Sequence, residues 1–158
     1  MTVNETTIIK FYTAFANADS AQMCECYHPN IKFSDPAFGT LKGEEVCQMW
    51  KMLIEGSNGN LKIDFSEIKA NEHLGSARWV ASYNFSKTNR KIVNTIASKF
   101  IFKDGLIIKH TDDFDIWKWS KQALGIKGLL LGWTGFMQKK IQTQARMSLK
   151  KYREKAAT

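Results

Sequence analysis

The chain has 158 residues, of which 44% are hydrophobic, 12% aromatic and 24% charged, and this composition excludes an intrinsically disordered chain and is typical of one soluble globular domain. The net charge of +8 is unevenly distributed: residues 1–115 carry 13 Lys/Arg and 14 Asp/Glu, whereas residues 116–158 carry 10 basic residues and one acidic residue. Because the main body is neutral, we expect no nucleic-acid partner and look for the function in this body.

The cysteines and the N-terminus favour a cytoplasmic protein. Three cysteines is an odd number, and Cys24 and Cys26 lie two residues apart, so the sequence predicts neither a disulfide framework nor a CxxC metal motif. Residues 1–10 contain no basic segment followed by an apolar one, so we expect no secretory signal.

The first third of the chain predicts three helices. Apolar residues at spacings of three and four predict an amphipathic helix over residues 5–17, and Asp19 followed by Gln22 predicts the cap of a short second helix. Apolar residues at helical spacing over 46–53 predict a third helix that ends at Gly56.

A strand is predicted between the second and third helices. Ile31, Phe33 and Asp35 alternate with polar residues, which is the two-residue period of a strand. The carboxyl group of Asp35 should therefore point to the same side as two large apolar side chains. Pro36 ends this strand, and a loop is predicted from there to Gly43.

The rest of the body is predicted to be sheet. Four long alternating runs are separated by turn residues, among them the hairpin dipeptide Asp104-Gly105. The runs are residues 61–68, 77–86, 91–103 and 106–117. They should pair as an antiparallel meander with the helices on one face of a curved sheet, an α+β arrangement.

Charged residues fix which face of each strand points inward. Lys99 and Lys103 place the alternate residues of the third run inward, and Lys109 does the same for the fourth run. The inward set, completed by the helices, has aromatic members Trp50, Trp79, Tyr83, Phe85 and Phe100 and polar members Tyr12, Asp35, Asn94, Ser98, His110 and Asp112. Burying ionisable groups among apolar ones costs free energy unless the groups are paired or take part in binding or catalysis. This set therefore predicts a ligand cavity.

Three segments of the sequence carry a resemblance to a known superfamily. FYTAFANAD, YHPNIKFSDPAFGTLKG and the late HTDDF resemble members of the nuclear transport factor two-like superfamily, which includes ketosteroid isomerases and small polyketide cyclases. The likeness covers residues 6–117. It implies a cone-like half-barrel, in which a curved and mostly antiparallel sheet wraps around N-terminal helices and encloses a pocket. The predicted organisation is this pocket domain over 1–117 and a basic helical extension over 118–158.

The resemblance also implies roles for single residues. Asp35 corresponds to the general base of the isomerases, and Tyr12 to the tyrosine that stabilises their oxyanion. Ser98 stands where the isomerases have a second, protonated aspartic acid. His110 and Asp112 resemble the polyketide cyclase branch, in which an acidic residue on a late strand handles the proton. Members of the superfamily are commonly homodimers, and this chemistry needs no cofactor.

Structural roles remain open for the same residues. Tyr12 is also explained as a core tyrosine bonded to Asp35, and Asp35 as the cap of the turn at Pro36. His110 is also explained as a core histidine held by Asp112. The aromatic residues serve either as core or as ligand walls. The histidines show no metal-ligand spacing, so we expect no metal site.

The extension mixes large apolar residues with glycines and then becomes a basic helix. Lys127 and four glycines interrupt the apolar stretch, which argues against a membrane span. The segment either lies on an anionic membrane surface, or folds over the mouth of the cone or against a second subunit. The soluble composition of the chain favours the latter.

Two functional hypotheses follow, and both place a small apolar ligand in the pocket. In the first, the protein is an isomerase or cyclase: Asp35 or Asp112 removes a proton next to a carbonyl, and His110 returns it. Tyr12, with Ser98 or Asn94, then stabilises the enolate oxygen. In the second, the pocket is a non-catalytic module that binds a hydrophobic metabolite or peptide.

Overall fold

Six helices and six strands make up the protein in a computed structural model that describes all 158 residues. The helices are α1 (Val3–Ala16), α2 (Ser20–Glu25), α3 (Glu44–Gly56), α4 (Ile116–Leu124), α5 (Ile126–Leu131) and α6 (Gly135–Ala156). The strands are β1 (Tyr27–Asp35), β2 (Gly39–Lys42), β3 (Lys62–Ala70), β4 (Leu74–Phe85), β5 (Arg90–Lys103) and β6 (Leu106–Asp113). None of the helices has the length and apolarity needed to cross a membrane.

The strands form one curved, unclosed sheet in the order β2-β1-β6-β5-β4-β3. All neighbours are antiparallel except β1 and β6, which run parallel. Register shifts interrupt the pairing between Ser66 and Lys69 and between Ile101 and Phe102, and such bulges bend a sheet. The predicted α+β cone with helices in its concave face is confirmed.

Helix α1 lies in the concave face because its apolar residues share one side. Ile8, Phe11, Tyr12 and Phe15 are all buried there. The ring of Phe15 contacts Trp50 of α3 and Trp79 of β4, with ring centroids 5.0 and 5.4 Å apart. One aromatic core therefore joins the two helices to the sheet.

Two parts of the body differ from the sequence prediction. Residues 39–42, predicted as a loop, form the edge strand β2, which pairs with β1. The last strand ends at Asp113 and not at residue 117. The reason is a helix cap: the Asp115 side chain accepts a hydrogen bond from the backbone N–H of Lys118 and so starts α4.

The extension packs on the body. Trp119 and Ala123 of α4 bury Ile92 of β5, and Leu149 of α6 joins the main core. The division of the chain at residue 117 into two units stays a prediction.

A disulfide joins Cys24 of α2 to Cys47 of α3, with Cα atoms 5.7 Å apart. This corrects the expectation that the chain has no disulfide. The pairing was hidden because it depends on α2 lying beside α3, which no sequence pattern indicates. Cys26 is the free cysteine, and it is buried.

Reducing the disulfide is expected to lower the free energy of unfolding by about 3 kcal/mol, because the bond restricts the unfolded chain over a sequence separation of 23 residues. Urea unfolding with and without dithiothreitol measures this difference. The double variant Cys24→Ser/Cys47→Ser should show no effect of the reductant. Alkylation of the unfolded, unreduced protein should modify Cys26 alone, and modification of all three cysteines would contradict the pairing.

Candidate functional site

A cavity of about 610 Å³ lies between the helices and the inner face of the sheet. Its wall is mostly apolar and aromatic, with contributions from Phe15, Trp50, Trp79, Tyr83, Phe85 and Trp119. Two carboxyl groups, Asp35 and Asp112, and the amide of Asn94 also line it. Three exposed lysines, Lys87, Lys127 and Lys140, stand on its open side. The cavity can hold a small, largely apolar molecule.

The parallel pairing of β1 with β6 brings the two acids together. Phe33 lies opposite His110 and Ser34 opposite Thr111, so continuing this register places Asp35 beside Asp112. Both side chains are on the inner face of the sheet because each follows the two-residue alternation of its strand.

Asp35 is held by a turn and aimed at the cavity. Its Oδ1 accepts hydrogen bonds from the N–H groups of Ala37 and Phe38 at 2.9 and 2.6 Å, and Oδ2 has no protein partner. The pKa of Asp35 is raised to about 7 as the net result of burial, which raises it most, the two N–H groups, which lower it, and the charge of Asp112, which raises it. A carboxyl group with this pKa gains and loses a proton near neutral pH.

Asp112 accepts the hydrogen bonds of a buried network. Ser98, which lies directly opposite Asp112 in the β5–β6 pairing, donates its hydroxyl to Oδ1 at 2.5 Å. Nε2 of His110 lies 2.8 Å from the same oxygen. Ser98 Oγ in turn accepts from the Tyr12 hydroxyl at 2.8 Å and from Trp79 Nε1 at 2.9 Å. Oδ2 of Asp112 is left to face the cavity.

The network extends through His110 to helix α3. Trp50 Nε1 donates to the Tyr27 hydroxyl at 2.9 Å, and this hydroxyl is 2.8 Å from Nδ1 of His110. If Tyr27 donates to Nδ1, then Nε2 carries the proton and donates to Asp112, and every donor in the network has an acceptor. Burial raises the pKa of Tyr27 and of Tyr12 well above the ordinary value, so both hydroxyls keep their protons and donate.

Tyr27 was not predicted as part of the site. The alternating pattern predicted for this strand begins at Ile31, and Tyr27 lies before it. In the structure Tyr27 is the first residue of β1 and is buried, but a register shift between Tyr27 and Lys32 and the exposed Pro29 interrupt the alternation, so no continuous sequence pattern indicated its role.

The predicted site residues divide into two groups. Those that line the cavity are Asp35, Asn94, Asp112, Trp50, Trp79, Tyr83 and Phe85. Tyr12, Ser98, Phe100 and His110 lie behind the cavity wall, and each is 2% exposed or less. Ser98 and His110 bond to Asp112, Tyr12 bonds to Ser98, and Phe100 fills the core, so the ligand contacts predicted for these four stay a prediction that the cavity lining does not support. The Tyr12 hydroxyl donates to Ser98 and not to Asp35.

Two polar groups of the cavity wall have free donors. The Tyr83 hydroxyl accepts from Trp119 Nε1 at 2.9 Å, and its own proton has no acceptor in the protein. The Asn94 side chain makes no hydrogen bond within the protein and lines the cavity. A ligand oxygen in the cavity would satisfy both donors.

The extension completes the cavity. Met137, Lys140, Ile141 and Gln144 of α6 line its open side, and Gln144 accepts a hydrogen bond from Lys87 of the β4–β5 turn. The interpretation that the extension folds over the mouth of the cone agrees with these contacts. No group of three or more His, Cys, Asp or Glu side chains is arranged to hold a metal ion.

A curved sheet wrapped around helices, with a cavity between them, defines the class of nuclear transport factor two-like proteins. Within that class the SnoaL-like domain model matches residues 8–110, and the chain belongs to this family. The superfamily resemblance predicted from the sequence is confirmed. No match was found among curated proteins.

Solved structures share this fold at low sequence identity. One is TerC co-crystallised with polyporic acid, with a TM-score of 0.67 and 14% identity over 77% of this chain and 98% of that one. Another is a putative polyketide cyclase from Xanthomonas campestris pv. campestris, with a TM-score of 0.62 and 16% identity over 77% and 96%. A third is a Mycobacterium tuberculosis LEH-like epoxide hydrolase, with a TM-score of 0.61 and 15% identity over 81% and 92%.

Proposed function

We propose that the protein is a cofactor-independent acid–base catalyst that moves a proton next to a carbonyl of a small, largely apolar substrate, as an isomerase or a cyclase does. The environment of Asp35 is the observation that carries this proposal. It is a carboxyl group with a pKa of about 7 that has one unpartnered oxygen and lines an apolar cavity. A general base works best when its pKa is close to the working pH.

In the proposed reaction, Oδ2 of Asp35 removes a proton from the carbon next to the carbonyl. The electrons of the broken C–H bond form an enolate, whose oxygen accepts hydrogen bonds from the Tyr83 hydroxyl and the Asn94 amide. Where the substrate has a C=C bond next to the deprotonated carbon, the charge extends over it, and the protonated Asp35 returns the proton to the far carbon of that bond, which is an isomerisation. Alternatively, the enolate carbon attacks a second carbonyl of the same substrate and closes a ring; the π electrons of that carbonyl move to its oxygen, which takes the proton from Asp35.

Asp112 acts through Asp35. Its negative charge raises the pKa of Asp35, and the hydrogen bonds from Ser98 and His110 fix its position at the cavity wall. The residues behind it, Tyr12 and Tyr27, are positioning residues because none of their atoms reaches the cavity. A base held by a rigid surrounding shell loses little free energy to reorganisation during the reaction.

The comparisons support a small-molecule substrate. TerC was crystallised with polyporic acid, and other structures of this fold are described as a putative polyketide cyclase and an epoxide hydrolase. The alternative is a non-catalytic module that binds a hydrophobic metabolite or peptide in the same cavity. A homodimeric state and a cytoplasmic location stay predictions.

Exchange of the α-protons of cyclohexanone in D₂O, followed by proton NMR, tests the chemistry. We expect the protein to accelerate this exchange and Asp35→Asn to slow the catalysed rate by about 10²- to 10⁴-fold. The amide oxygen of Asn can still accept from Ala37 and Phe38, so the turn is preserved. Asp113→Asn, at an exposed position of the same sheet, is the matched control and should keep the full rate.

Mass spectrometry of small molecules retained on the purified protein identifies the natural ligand, and the exchange measurement is then repeated with it. Retention of a carbonyl compound whose α-protons exchange no faster than in buffer would contradict catalysis and support the binding module. Equal rates for Asp35→Asn and Asp113→Asn would contradict the role of Asp35.

A further inference from the structure

Large apolar side chains are exposed on α5 and at the start of α6. Ile126 is 76% exposed, Leu130 62%, Trp133 64% and Phe136 77%, and Leu129 is half-exposed. We call these five residues the α5 patch. Large exposed apolar surfaces on soluble proteins usually mark a binding surface.

Close packing of α5 on α4 forces the α5 patch outward. Gly128 and Gly132 lie one turn apart on the buried side of α5, where a Cβ on either residue would overlap Ser120 of α4. Residues two positions away point to the opposite side of a helix, so Ile126 and Leu130 face away from the protein.

The surroundings of the α5 patch are basic. In the sequence, lysines flank it at positions 118, 121, 127, 139 and 140, and the chain has no acidic residue between Asp115 and Glu154. A second copy docking through the same surface would bring two basic rims together without acidic partners. The charge therefore favours an anionic partner over self-association.

We propose that the α5 patch docks on an anionic lipid membrane surface, with its apolar side chains in the interface and the surrounding lysines against lipid headgroups. Trp133 suits this location because its indole ring is apolar and carries one polar N–H group. This binding goes beyond the proposed catalysis and does not depend on it.

Membrane docking would place the cavity entrance at the lipid surface. Lys127 and Met137 line the cavity, and they are adjacent in sequence to Ile126 and Phe136 of the patch. An apolar ligand dissolved in the bilayer would then enter the cavity without crossing water.

Co-sedimentation of the full chain with phosphatidylcholine vesicles, with and without phosphatidylglycerol, tests this proposal. We expect binding to the anionic vesicles to be about tenfold or more stronger than to the neutral ones and to weaken at high salt. Lys118→Gln/Lys139→Gln should weaken it by about thirtyfold. Leu130→Ser/Phe136→Ser should also weaken it by about tenfold or more.

The control Leu74→Ser/Met147→Ser removes two apolar side chains of similar exposure elsewhere and should bind like the unchanged protein. Absence of vesicle binding would overturn the proposal, as would equal losses in the patch and control variants. A dimer in analytical ultracentrifugation that Leu130→Ser/Phe136→Ser dissociates, without vesicle binding, would show that a second copy covers the patch instead.

Discussion

Replacing Asp112 with Ala is expected to lower the free energy of unfolding by about 3 to 5 kcal/mol. The substitution leaves the hydroxyl of Ser98 and Nε2 of His110 without their acceptor, and both groups are fully buried. An unpaired buried donor costs about 1 to 3 kcal/mol, and the removed side chain leaves additional empty volume. Urea unfolding followed by circular dichroism measures the loss.

The neighbouring residue provides a matched control for this loss. Asp113→Ala removes the same side chain one position later on β6, where it is exposed, and should change stability by no more than about 0.5 kcal/mol. Asp112→Asn keeps an acceptor oxygen, so its loss of stability should lie between those of Asp112→Ala and Asp113→Ala. Similar stabilities for Asp112→Ala and Asp113→Ala would show that the network contributes nothing to the fold.

The Asp35 carboxyl is expected to make the protein less stable as the pH rises from about 4 to about 7. In the unfolded chain an aspartate has a pKa of about 3.9. In the folded protein burial raises the pKa of Asp35 to about 7, so within this window the folded state holds a proton that the unfolded state has released. The free energy of unfolding therefore falls with increasing pH, by about 4 kcal/mol in total.

Comparison with Asp35→Asn isolates this contribution from the other titrating groups. The variant and the unchanged protein should be similarly stable near pH 3, below both pKa values, where the carboxyl group is protonated in the folded and the unfolded state. Near pH 8 the variant should be more stable by up to about 4 kcal/mol, because it carries no buried charge. Parallel stability curves across this pH range would mean that Asp35 has an ordinary pKa.

Strand periodicity was enough to predict which acids point inward. Asp35 and Asp112 follow the alternation of β1 and β6, and this property is local to each strand. The four long strands and their antiparallel order were predicted for the same reason. The charged residues Lys99 and Lys109 correctly fixed the phase around the site because each lies on the outer face of the sheet.

Periodicity does not report how far a side chain lies from the cavity. Tyr12 and His110 share the inner side with Asp112, but they lie behind the wall, since their depth depends on how α1 and α3 fill the cone. The importance of Tyr83 as a free donor depends on Trp119, which comes from a helix beyond the predicted cone. Contacts between elements distant in sequence, such as Cys24 with Cys47, were likewise not predictable from local patterns.

The close contact between Gly128 and Ser120 affects the shape of the cavity wall. Leu124 and Lys127 line the cavity and lie four residues and one residue before this glycine. A methyl group at position 128 would overlap the backbone of Ser120, so α5 would have to move away from α4 and carry Lys127 with it. The absence of a side chain at Gly128 thus keeps α5 against α4 and holds Leu124 and Lys127 where they line the cavity.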